Sequence, residues 1–288
     1  EHAATGYPRG GVLTGGDNNF VDKFGDQTGL GGGIYAANVR YQADEFSGYE
    51  SYPYSVDIAG GSVWGNRAFR YGAVFGEIGM GGSLSVSGGK IYENTSELTE
   101  QALSANAFVM TGGEISGGVG GGVKAYSSAR IEGGKVFGND GIGVTASSFA
   151  MTGGEIFGNA GSGVSASEGV TLSGGKIYGN GTSGEGGGIR MTATGSVETH
   201  AVFSMTGGEI FGNTATSGGG IYLGTMSERE IDFSLNGGKI YGNSAATGGG
   251  IYLGAGKGGG KISVRVSGGE VMGNNASERA GGVYVRHG

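Results

Sequence analysis

The chain has 288 residues, of which 72 are glycine and only two are proline; it has no cysteine and a net charge of −7. One glycine in four without a Gly-X-Y period excludes collagen, and the lack of cysteine excludes a disulfide framework and a thiolate metal site. An acidic balance with no Lys/Arg-rich run argues against nucleic acid or an anionic membrane as partner, and no apolar run reaches the roughly 18 residues of a membrane helix.

From the N-terminus, residues 1–59 read as an irregular first coil or cap. Residues 1–80 hold 13 of the 27 aromatic residues. An insertion over 38–55 carries Tyr41, Phe46, Tyr49, Tyr52 and Tyr54, with Asp44, Glu45 and Glu50 between them. Long loops on a rigid scaffold are where binding usually resides, so these five aromatics are the candidate binding residues, alongside a role in covering the open end of the fold. Asp17, Asp22 and Asp26 could supply oxygen ligands to a metal, but solvated loop carboxylates explain them as well, and no metal is expected.

From residue 60 onward the chain repeats itself. A double-glycine motif recurs as GGSVWGN (60–66), GGKIYEN (88–94), GGEISGG (112–118), GGKVFGN (133–139), GGEIFGN (153–159), GGKIYGN (174–180), GGEIFGN (207–213), GGKIYGN (237–243) and GGEVMGN (268–274). A degenerate further copy begins at Gly15. A segment such as GIGVTA (141–146) or GGGIYL (218–223) follows each motif, and one such as FSMT (203–206) precedes it. All three alternate apolar and polar residues with period two, the mark of half-buried strands. Helical spacing fits none of them, and glycine disfavours a helix by about 1 kcal/mol per residue.

Short strands with glycine corners at a repeat of 20–33 residues predict an all-β fold: a right-handed, three-faced parallel β-helix of about ten coils, one domain over 1–288 with regular coils over 60–288. At about 4.8 Å per coil the rod is roughly 48 Å long. Insertions at 192–201, 224–231 and 254–261 should leave one corner and build a lateral ridge.

Stacking the motifs predicts three ladders. The residue after the double glycine alternates through Lys90, Glu114, Lys135, Glu155, Lys176, Glu209, Lys239 and Glu270. Each rung then meets opposite charge on both sides, which sets the register. Asn66, Asn94, Asn139, Asn159, Asn180, Asn213, Asn243 and Asn274 are expected at corners, in a left-handed conformation or as a hydrogen-bonded amide ladder. Asn94 and Asn275 also stand in Asn-X-Ser patterns, a weak glycosylation signal. Trp64, Tyr92, Phe137, Phe157, Tyr178, Phe211 and Tyr241 form an outward aromatic column. It can stack on itself, meet another rod or receive the flat face of a sugar.

Enzymatic chemistry finds little support. The seven aspartates do not recur at one strand position, and His2, His200 and His287 are scattered. No catalytic residues and no cofactor are expected. A polysaccharide lyase or hydrolase is the rival reading, since a β-helix can carry clustered carboxylates.

Segments such as IFGNTATSGGGIY (210–222) and IYGNSAATGGGIY (240–252) resemble the passenger repeats of the chlamydial polymorphic outer-membrane proteins, over about residues 60–288. Those repeats carry an aromatic-x-x-Asn motif and then Gly-Gly-aliphatic; here an aliphatic residue (Ile210, Ile240) takes the aromatic slot. The resemblance implies a β-helical, surface-displayed adhesin of autotransporter type. The expected protein is therefore extracellular or at the cell surface, with its export signal removed. Expected partners are a second copy, through end-to-end or lateral association, or a cell-surface glycan or protein.

Overall fold

In a computed structural model, the described residues are 34–36, 39–41, 50–52, 55–68, 72–76, 81–98, 100–194, 200–225, 229–254 and 260–286; for the first three segments and for Phe75 and Gly76 only the backbone is described. The described chain is all β: parallel strands wind as a β-solenoid, each coil pairing with the equivalent strands of the coils before and after it.

The strand after each double glycine forms the most regular row. Ser62–Trp64, Lys90–Tyr92, Glu114–Ser116, Lys135–Phe137, Glu155–Phe157 and Lys176–Tyr178 pair in unbroken parallel register. The row continues through the final residues of Ala201–Phe211, Ile231–Tyr241 and Ile262–Met272. The two other expected segments often fuse. In Gly121–Ile131, Ile142–Met151 and Val164–Leu172 they form one long strand, its register shifted at a bulge where the coil bends. In the later coils that bend opens into the insertions, and the segment before the glycines fuses with the one after them. A fourth, short row follows the asparagine and was not foreseen: Thr214–Ser217, Ser244–Thr247 and Asn275–Arg279.

Period-two alternation places every second side chain inside, where the inward rows stack into one continuous core. Large and small residues alternate along some rows: Phe108, Ala129, Phe149, Val170 and Phe203 follow one another in register, each at most 2% exposed. Beside them run Met110, Ile131, Met151, Leu172, Met205 and Leu235, equally buried.

Burial ends abruptly at the last described coil. Val264 and Val266 continue the rows of Phe233 and Leu235, yet are 48% and 64% exposed where Phe233 and Leu235 are 2% and 1%. Val283 and Val285 continue Ile251 and Leu253 and are likewise bare, at 45% and 63%.

The 38–55 insertion contains a hairpin, Val39–Tyr41 against Glu50–Tyr52, whose pairing is antiparallel. It puts the backbone of Tyr41 opposite Glu50 and that of Tyr52 opposite Val39. Phe46, Tyr49 and Tyr54 lie outside the described residues, as do Asp17, Asp22, Asp26, His2 and His287. The three later insertions do leave one corner, since Ile189–Ala193, Ile221–Thr225 and Ile251–Gly254 stack in register before it. Their tips lie outside the described residues.

Candidate functional site

The candidate surface is built on glycine. The second glycine of each pair sits at positive φ, for example +79° at Gly175 and +80° at Gly208. From Gly88 onward the first has no room for a side chain: a Cβ on Gly174 would lie 2.2 Å from the Thr152 carbonyl oxygen of the preceding coil. Only bare backbone lets coils approach to one strand spacing at this corner. The consequence is a groove of about 950 Å³ along the rod, floored by the paired glycines and walled by the residues from Lys90 to Lys239 that follow them.

That wall is the expected charge ladder, with Lys and Glu facing each other rung by rung from Lys90 to Glu270. Its side chains do not all close into pairs. Lys90–Glu114 (3.1 Å) and Lys239–Glu270 (3.6 Å) are ion pairs. Glu155 and Glu209 instead accept hydrogen bonds from Tyr178 (3.3 Å) and Tyr241 (2.8 Å) on the following coil. Both phenols are pushed up from the usual tyrosine range, Tyr178 first by burial and Tyr241 first by its bond to Glu209.

The aromatic column stacks on itself. Phe137, Phe157, Tyr178, Phe211 and Tyr241 lie 4.8–4.9 Å apart, with ring planes within 7° of parallel. Trp64 stacks on Tyr92 at 5.8 Å. The ring faces between successive members are covered by each other, so most of the column offers only edges to a partner, and stacking of sugars along its length is excluded. The column is interrupted at Ser116, whose neighbours in register are Tyr92 and Phe137.

A second stack, Tyr222–Tyr252–Tyr284, has ring centroids 5.0 and 5.3 Å apart. Tyr222 is half-buried, and Tyr252, one rung on, is just 7% exposed. Each ring lies over a glycine two residues on, Gly224 or Gly254, and a Cβ there would come within 2.7 or 2.6 Å of its ring carbon Cε1. The Tyr222 phenol is pushed up by burial and by its hydrogen bond to Glu185.

The asparagines are not left-handed. The glycine before each one takes that conformation, with φ between +58° and +64° at Gly65, Gly138, Gly158, Gly179, Gly212, Gly242 and Gly273; in one coil Glu93 takes it at +55°. The asparagines turn inward, and Asn66 to Asn243 are at most 2% exposed. Asn180 shows the pattern. Its Oδ1 accepts from the backbone N–H (3.1 Å) and Nδ2 (2.8 Å) of Asn159. Its Nδ2 donates to Oδ1 of Asn213 and to the Ile156 carbonyl, both at 3.0 Å. One side chain thus ties three coils together, which the amide-ladder expectation captured only in part. At Gly118 a Cβ would stand 2.3 Å from the Gly121 carbonyl oxygen, which is why that coil has no asparagine. Asn94 is 1% exposed and hydrogen-bonded within the ladder, so its glycosylation pattern is buried.

Two carboxylates also approach His200. His200 Nδ1 lies 2.9 Å from Asp232 Oδ2, and Nε2 lies 3.5 Å from Glu230. Spacing along the sequence gave no hint of this, because the pairing crosses from one coil to the next. Among the described residues no group of three His, Cys, Asp or Glu side chains is arranged to hold a metal ion. No helix of the described chain is long and apolar enough to cross a membrane.

No family model, curated protein or solved structure matches the chain.

Proposed function

We propose that this chain is an extracellular or cell-surface rod that acts by contact, in adhesion or in building a filament or surface layer, and that it lengthens by stacking coil on coil with a second copy. The observation that supports this reading is the regularity of the stack, in which coil after coil pairs in parallel register through the same charge, aromatic and asparagine rows. In the 262–286 coil Val264, Val266, Val283 and Val285 stand on the same core rows and are 45–64% exposed, so a further coil stacked on them would contribute about 1 kcal/mol at each. The polar rows are equally ready to continue. Asn274 binds the coil before it through Asn243 and Ile240, and its pattern matches that of Asn180 up to the point where a following coil would supply the acceptor. Strand edges of this kind pair with other chains unless something protects them, and a head-to-tail contact propagates as a filament. The resemblance of the repeats to adhesin passenger repeats supports the surface location.

Sedimentation and electron microscopy of the 288-residue chain at micromolar concentration test the reading. Rods longer than one chain, dissolved by Val266→Lys or Val285→Lys, are expected. A monomer of single length at every concentration sinks it. Turnover of a polysaccharide, abolished by a single carboxylate substitution, would overturn the non-enzymatic part.

A further inference from the structure

The aromatic column is one rung short, and the gap has the dimensions of the ring it lacks. Ser116 takes the place of an aromatic between Tyr92 and Phe137. The two flanking rings are therefore two rungs apart, about 9.6 Å at one strand spacing per coil. Among the described residues no ring contact bridges them, whereas every other adjacent pair from Trp64 to Tyr241 is stacked. A planar ring placed over Ser116 would lie about 4.8 Å from each wall, the same separation that the column shows between Phe137 and Phe157 (4.9 Å).

Both walls are braced from behind. Trp64 stacks on the far face of Tyr92 with planes 2° apart, and Phe157 does the same for Phe137. The guest faces of these two rings are the places where the column interior presents flat aromatic surface rather than edges. The charge row beside the gap is not symmetric. Glu114, on the same strand as Ser116, is tied to Lys90 at 3.1 Å. Lys135, on the strand of Phe137, is exposed and has no ion pair within 4 Å among the described residues. Its Cα is two residues from that of Phe137, about 7 Å along the strand, within reach of a substituent on the guest.

We propose that the gap over Ser116 binds one planar aromatic ring bearing an anionic group, the chemistry of a small aromatic carboxylate. Tyr92 and Phe137 sandwich the ring and Lys135 meets the anion. The site is distinct from the bare coil at 262–286 and does not depend on self-association.

Titration with phenylacetate and with cyclohexylacetate, followed by calorimetry and by proton NMR, tests it. The two share a carboxylate and differ in planarity. One site per chain is expected, with phenylacetate bound about tenfold more tightly and its ring protons shifted upfield by the two stacked walls. Lys135→Gln should weaken phenylacetate while leaving neutral benzyl alcohol unchanged. Ser116→Phe should complete the column, raise the unfolding midpoint and abolish binding. Should that variant fail to fold, Phe137→Leu removes one wall and should weaken phenylacetate to the level of cyclohexylacetate. Equal affinity for the two acids, or phenylacetate binding retained in Ser116→Phe or undiminished in Phe137→Leu, overturns the proposal. Loss of self-association in Val266→Lys with phenylacetate binding intact separates this site from the filament reading.

Discussion

A single buried amide in this fold has obligations on both sides. Replacing Asn180 with alanine removes the acceptor for two donors of Asn159 and the donor to Ile156, all inside the rod. An unsatisfied buried group costs about 1–3 kcal/mol, so Asn180→Ala should destabilise by about 2–4 kcal/mol, read as a drop in the urea midpoint. Asn139→Ala should cost less, because Gly118 on the preceding coil donates only its backbone N–H to that Oδ1. Tyr222 makes a different demand, on pH. Burial and the bond to Glu185 raise its folded value above the ordinary 10.0. The protonated phenol therefore contributes stability that is fully present below pH 10 and is lost as pH rises beyond it. Tyr222→Phe should flatten the decline in unfolding midpoint above pH 10, and an unchanged decline would place its origin elsewhere.

Among elements, the strand after the double glycine repays closest attention, since its first outward residue carries the charge row. Glu155→Lys would put three like charges on successive rungs from Lys135 to Lys176 and take the acceptor from Tyr178. Exposed pairs of this kind are worth about 0.2–1 kcal/mol each. The urea midpoint should fall by about 1 kcal/mol equivalent at low salt, and by less at 1 M, where the screening length is about 3 Å. An unchanged midpoint at low salt would remove the row from any part in register. This row, the aromatic column and the inward rows were legible in the sequence because alternation states which side of a strand a residue takes. Alternation is silent on depth and on what crosses between coils. It therefore missed the burial of Tyr252 over Gly254, the turn of the asparagines into the core, and the approach of His200 to Asp232. The glycine-floored groove was illegible for a related reason, since glycines read as corners and their lack of side chains becomes a surface only once seven coils are superposed.

At the scale of the whole molecule, the solenoid is a one-dimensional object in which each coil answers only to its neighbours. Its stability is a sum of similar interfaces, and among the described residues the inward rows are half exposed at Val264, Val266, Val283 and Val285. The strict alternation of lysine and glutamate also bears on ancestry. Copying a single coil within the gene would set lysine beside lysine or glutamate beside glutamate at one seam, whereas copying two adjacent coils preserves the sequence of signs throughout. The smallest unit whose repetition keeps the charge row intact is therefore the doublet. The coils of GGEIFGNTATSGGGIYLG (207–224) and GGKIYGNSAATGGGIYLG (237–254), alike at 13 of 18 positions and opposite in sign at Glu209 and Lys239, make up one such doublet.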